Sequence, residues 1–474
     1  MNKKHIYLIL FLILIGCNKN DNTEKSINQP YDSIPLWIDL SKTTTLPLIE
    51  RKKNLDKAYK ILKSGKIDTS STRQLSNIAY QYLNLKDTQR FKSLNKETYK
   101  LALSIKDTFT LADVNWSEAN YYKKIEQYDS AYYYYNKAYR YFEKIDHQNE
   151  AAKMLYGMAF IKGRYEDYFG SEILIIKAIS KYKSLNEVEA LYASYNHLAL
   201  LQSDINEYSK ALFYSNKALE YLNKLENDRD LYTVSYNNIG TVYQKQKKYK
   251  KALFFYDKAL KSDDSLYAKN IELYATLIDN KAFCKLMIKD TVTVKTMLYK
   301  ALRIRDSTNN KGGQIMSNIH LSKYYTLTGD FTRAIFYIKK SNVLAKKIKY
   351  SRDYLESLQI LSTLDSKNGI YYLKEHIKYS DSLENHNRMT QNKFTRIEYE
   401  TNEYVKENKI LSQQNLQIII IALITLLIVS LIYYIIIQKF TNEKLLLETE
   451  QQKANEQVYV LTLKQKEKLE KEKK

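Results

Sequence analysis

An all-α fold laid out as an array of paired helices is what this sequence predicts, and three observations predict it. One phrase recurs: AYYYYNKA at 131–138, ALFYSNKA at 211–218, ALFFYDKA at 252–259 and AIFYIKKS at 334–341. Each copy sets a small residue, then aromatics, then another small residue seven positions on. The starts differ by 80, 41 and 82 residues, so the unit is about forty residues and some copies have drifted. Turn punctuation is also scarce. All three prolines (Pro30, Pro35, Pro47) precede residue 50 and only ten glycines serve 474 residues, which favours helices with short connections over hairpin-linked strands. Finally, apolar and small residues ahead of each phrase recur at offsets of three, four and seven, one face of a helix.

The N-terminus reads MNKKHIYLILFLILIGCNKN. Lys3 and Lys4 precede an apolar run, Ile6–Ile15, too short to span a bilayer and closing on Leu14-Ile15-Gly16-Cys17. Residues 1–16 therefore read as a secretory signal. Its ending resembles a bacterial lipobox, which implies cleavage before Cys17 and acylation of that thiol by membrane lipid. Residues 17–49 follow as a tether. Cys284 is then the remaining cysteine, expected as a buried, inert thiol on a helix.

The clearest copy of the unit is Tyr236, Ile239, Gly240, Tyr243, Tyr249, Ala252, Tyr256 and Ala259. These offsets resemble the tetratricopeptide repeat, a helix-turn-helix module of about 34 residues that stacks into a solenoid. Small residues at Gly240 and Ala252 let the paired helices approach, while Tyr256 and Ala259 meet the next pair. The first-helix positions 75, 115, 155, 195, 236, 278 and 318 mark seven units with steps of 40 to 42, and a shortened eighth is expected near 355–384. Half a unit around Lys53–Lys63 caps the front. The solenoid is thus expected over 50–384, with Tyr135 filling the aromatic packing position and Tyr132–Tyr134 sweeping the other directions of that helix. In repeats of this type the first helices line a groove, so the resemblance implies partner contacts at Trp116, Asn120, Tyr156, Phe160, Asn196, Asn237, Thr241 and Asp279. The Lys/Asn clamp that some members close on a peptide carboxylate is not reproduced.

Residues 385–416 lack proline and glycine and read as a juxtamembrane helix. Ile418–Ile437 is a 20-residue stretch free of charge, about 30 Å of helix, so a single transmembrane helix is expected over 417–438. Beyond it, 439–474 is again helical. Leu447, Ala454, Val458 and Leu461 give a heptad-like seam that points to a coiled-coil homodimer. Export by the signal leaves the repeats outside the cytoplasm, held at the inner membrane, with the tail inside. This order is similar to the input half of repeat-containing bacterial sensor histidine kinases. From Gln438 onward, however, there is no histidine, aspartate or glycine. A phosphoacceptor histidine and an ATP lid are therefore not expected here.

The formal charge of +22 is spread over lysines interleaved with acidic residues, the pattern of a solvated helical surface rather than a nucleic-acid patch. An aromatic run can stack bases, but these rings lie in the exported part. The six histidines show no metal-ligand spacing, and the Walker, dinucleotide and nucleophile-elbow motifs are missing. No catalytic residue, metal or cofactor is therefore assigned. The expected role is a membrane-anchored interaction and signal-input module. It binds a protein or peptide ligand and couples to a cytoplasmic signalling effector. The alternatives are a truncated or split sensor histidine kinase and a membrane-bound partner of a transcription regulator.

Overall fold

The computed structural model describes residues 33–225, 229–263 and 265–472, with nineteen α-helices and no strand among them. The signal expected at 1–16, Cys17 and the first part of the expected tether lie outside the described residues. Two bodies are distinguished, Met1–Ile397 and Glu398–Lys474.

Helices of near-constant length follow one another through turns of one kind. Left-handed backbone recurs at Lys86, Lys106, Glu126, Asp146, Glu166, Asn186 and Asn206, each twenty residues after the last, and again at Lys289, Asn309, Gly329 and Lys349. At each of these the next residue's N–H reaches back five positions: Asp87 N to Tyr82 O at 2.9 Å, Asp107 N to Ala102 O at 2.8 Å, Asp330 N to Tyr325 O at 2.9 Å. This bond satisfies a carbonyl that the helix end would leave orphaned. The same residue then opens the following helix. Asp87, Asp107, Asp167 and Asp330 accept the backbone N–H three positions on, from Arg90, Thr110, Gly170 and Arg333. One residue thus serves both ends: its backbone amide closes one helix and its carboxylate opens the next.

The helices pair as the forty-residue period requires. Units run from Thr69–Asn84 with Thr88–Ser104, through Thr108–Lys124 with Tyr128–Lys144, Gln148–Arg164 with Tyr168–Leu185 and Val188–Asp204 with Tyr208–Leu222. They continue as Arg229–Lys245 with Tyr249–Ser262, Ile271–Met287 with Val294–Ser307, and Lys311–Leu327 with Phe331–Lys347. Ser351–Leu364 begins an eighth unit, completed by the opening turns of the last helix, Gly369–Glu472. The small phrase positions are the contact points: Ala131, Ala138, Ala211, Ala252, Ala259 and Ala334 are buried. Tyr135 and Tyr256 fill the aromatic position at 2 % and 0 % exposure. Each ring lies against a glycine of a first helix. A Cβ on Gly240 would stand 2.6 Å from the Tyr256 ring, and one on Gly157 would stand 2.8 Å from the Tyr135 ring. Cys284 is buried, donates to Gln244 Oε1 at 3.3 Å, and has its thiol pushed up to about 12 by burial.

Both ends depart from expectation. The array starts before residue 50, because Ile34–Lys42 is helical and drives Ile34 and Ile38 into a core with Leu55, Ala58 and Ile78. That helix lies inside the segment expected to be a tether, and Leu48–Ser64 completes a pair with it. At the other end, residues up to Ile397 are not a bare juxtamembrane helix. Asn387, Phe394 and Ile397 are buried, packed against residues 128–168 rather than leading free toward a membrane. Within the second body, the helical stretch Ile410–Leu469 contains a window of mean hydropathy 3.0, long and apolar enough to cross a membrane. Leu447, Val458 and Leu461 are exposed there.

Candidate partner-binding groove

Successive first helices touch one another between the first and second units and from the fourth unit to the eighth, so they line one face of the array. The residues expected as contacts lie on these first helices.

Two aromatic–cation junctions sit between the second and third units. Trp116 stands edge-on to Phe142 at 6.4 Å and receives the Lys153 ammonium 5.8 Å above its ring. Phe160, 38 % exposed, lies 5.9 Å beneath the Lys123 ammonium, which also faces Tyr135 at 6.0 Å. Burial pulls the Lys123 pKa down, as expected for an ammonium crowded by rings rather than paired to a carboxylate. Asn120 accepts the Tyr135 hydroxyl at 2.7 Å. Tyr156 is half-buried and tilts against the His197 ring at 5.5 Å. Burial raises the Tyr156 hydroxyl and depresses His197 to about 4.

Beyond them runs a ladder of side-chain amides. Asn238 donates to Asn196 at 3.0 Å, Asn237 donates to Asn238 at 3.4 Å, and Asn280 donates to Asn237 at 3.3 Å. These four asparagines come from three consecutive first helices, spanning the fourth to sixth units. Thr241 turns inward along its own helix and donates to Asn237 O at 3.0 Å. Each primary amide has two donors and two acceptor lone pairs. The ladder uses one or two of these per residue.

Asp279 is not part of this surface. It is fully buried, with Arg305 Nη1 at 3.2 Å and His320 Nδ1 at 2.8 Å from its Oδ2. Ser317 donates to its other oxygen at 3.3 Å. Burial opposes its charged form, but the His320 and Arg305 charges outweigh that and hold the carboxyl below its usual range. Asp279 lies on a first helix, as the register expects, but not on an exposed face. Arg305, from the second helix, and His320, from the next first helix, close over it. Sequence reasoning also missed Asn238, Asn280, Lys123 and Lys153. For the asparagines the signal was present, since Asn238 and Asn280 both sit two positions after a first-helix reference residue.

A tetratricopeptide-repeat family model matches residues 234–265, the copy with the clearest spacing. No curated protein matches the chain in sequence. Solved structures share the fold at low identity. The apo quorum sensor NprR from B. thuringiensis is 14 % identical with a TM-score of 0.56, over 74 % of this chain and 98 % of that one. Apo RapI is 17 % identical at a TM-score of 0.55, over 73 % and 93 %. The Rap conjugation gene regulator of plasmid pLS20, in complex with the Phr* peptide, is 13 % identical at 0.50, over 75 % and 96 %. The fold class is thus a tetratricopeptide-type helical solenoid. No likeness to a histidine kinase is among these findings.

Proposed function

We propose that this chain is a binding module whose groove holds an extended peptide or protein segment, and that it passes occupancy to a membrane-anchored tail. The observation that carries the reading is the asparagine ladder across three successive first helices. Side-chain amides at a regular spacing can each exchange a donor and an acceptor with a peptide backbone, independent of the peptide's side chains. The aromatic–cation junctions at Trp116 and Phe160 then offer places for side chains. One similar fold, the Rap regulator of pLS20, has been solved with a peptide, which supports the ligand class.

The anchoring part of the proposal rests on the apolar helix within Ile410–Leu469 and on the signal-like N-terminus. The tail beyond 438 would then reach a cytoplasmic effector, a kinase or transcription regulator carried on another chain, and its exposed leucine seam would pair two copies. The reading assigns no chemistry to the polypeptide itself.

The test is a titration of the full chain in lipid nanodiscs with a labelled library of unstructured decapeptides, read by fluorescence polarisation. Saturable binding is expected for a subset of the library. Asn238→Ala is expected to weaken it about tenfold, the worth of one well-placed hydrogen-bonding group. An unresponsive library, or a subset that binds the variant equally well, overturns the proposal.

A further inference from the structure

The last helix does something the repeat pattern does not ask of it. After its opening turns pack on the eighth unit, with Tyr379 edge-on to Tyr354 at 4.8 Å, it continues across the middle of the array. There it meets turns more than two hundred residues away in sequence. Phe394 is fully buried, its ring stacked on Tyr132 at 4.6 Å and edge-on to Tyr165 at 5.5 Å. Gln391 donates to the Tyr165 carbonyl at 2.8 Å, and Asn387 donates to Glu166 Oε2 at 3.3 Å. Lys393 forms an ion pair with Asp129. Asn387, Phe394 and Ile397, at spacings of seven and three, lie on one helical face and are the buried ones.

We propose that the turn edge formed by Asp129, Tyr132, Tyr165 and Glu166 is a docking site for residues 387–397 of this same chain, and that engagement of this latch reports groove occupancy to the membrane helix. The inference rests on the groove reading for its input. Its geometric basis is that the site is shared. Asp129 and Tyr132 belong to the second unit, while Tyr165 and Glu166 form the turn of the third. The first helices of those same two units carry the Lys123–Phe160 and Lys153–Trp116 junctions. A ligand inserted between their first helices changes how the two units sit against each other, and Phe394 fits only when both of its ring neighbours are in place. Packed junctions of this kind switch between discrete arrangements rather than deforming smoothly. The latch is also suited to release. Its other faces carry Glu384, Asn385, Arg388, Asn392 and Thr395, all exposed, so the undocked helix remains soluble. The helix that carries the latch is Gly369–Glu472, so the latch and the tail belong to one continuous stretch of chain.

The experiment uses the full chain in nanodiscs. A water-soluble carbodiimide joins neighbouring amine and carboxylate groups at zero length. It is expected to link Lys393 to Asp129 within one chain, read by peptide mass spectrometry from the monomer band. Phe394→Ala is expected to lower the yield of that link at least tenfold and to change hydrogen exchange across residues 440–465 at least threefold. Exchange across 236–256 should stay as in the wild type. If it rises, Gln391→Ala, which removes one hydrogen bond at the surface, takes its place with the same expectations. Three results overturn the proposal: no 129–393 link in the wild type, a link found only between two chains, or tail exchange indifferent to the loss of the link. The groove reading is scored separately. A library that fails to bind while the latch variant still alters the tail sinks the ligand and leaves the latch standing. Peptide binding with no effect of latch loss on the tail does the reverse.

Discussion

Two ionisable side chains, one buried and one half-buried, show how differently the first helices treat charge. Asp279 keeps its charge because Arg305 and His320 close on it, and removing both would leave a buried carboxylate uncompensated, at a cost on the order of 3–5 kcal/mol. His197 has no such partner and is held neutral, its pKa depressed from 6.5 to about 4 by burial. A histidine that is harder to protonate when folded destabilises the fold wherever the unfolded chain binds the proton first. Stability should therefore fall as pH drops from about 6.5 toward 4, by up to about 3 kcal/mol, and this contribution should level off below that. Thermal unfolding at pH 7 and pH 5 checks it: His197→Gln should lose less on acidification than the wild type, and an equal loss would show that other groups carry the effect. Neither fate was legible in the sequence. Asp279 and Asn237 occupy the same position of their units, and only the side chains reaching in from neighbouring helices separate a core ion pair from a groove amide.

Helix pairs, by contrast, were legible from their packing letters. The alanine–aromatic–alanine phrase marks where two helices touch, and the glycines at 157 and 240 mark where a tyrosine ring replaces a Cβ. Gly240→Ala tests this at the level of the pair. An alanine ordinarily favours a helix by about 1 kcal/mol over glycine. Here the added methyl meets the Tyr256 ring at 2.6 Å, and that ring has no room to retreat, so a net loss of about 1–3 kcal/mol is expected by chemical denaturation. A gain instead would mean the ring shifts freely. The turns were not legible. Left-handed backbone usually announces itself by glycine, yet among the described residues Lys, Glu, Asp and Asn hold it at eleven positions and glycine only at Gly329. What marks the turns is a three-residue pattern, an aliphatic residue, a polar one and then a capping one, as in Leu85-Lys86-Asp87 and Ile105-Lys106-Asp107. The polar middle residue hides it from a search for turn formers.

Across the first body, the contact of residues 387–397 with the second and third units turns a chain of nearest-neighbour interfaces into a closed circuit. It escaped the sequence reading because three buried side chains at helical spacing look like any short amphipathic stretch, and nothing local says that their partners lie near residues 129–166. The circuit has an energetic signature. Burying Phe394 is worth a few kcal/mol, but the loss on mutation is capped by the free energy of docking, since a segment that has let go has nothing further to lose. Phe394→Ala with Ile397→Ala should therefore cost clearly less than the sum of the single changes in urea unfolding, whereas additive losses would show that the segment stays in place. The uniform turns carry a different consequence. Because the connection inside a unit and the connection between units share one geometry over much of the array, the backbone repeats every single helix, while the side chains repeat every two. Excising twenty residues between two such turns would splice without a seam, yet every later helix would exchange its wet side for its dry one. Lineages that lengthen or shorten this protein can do so only in even numbers of helices.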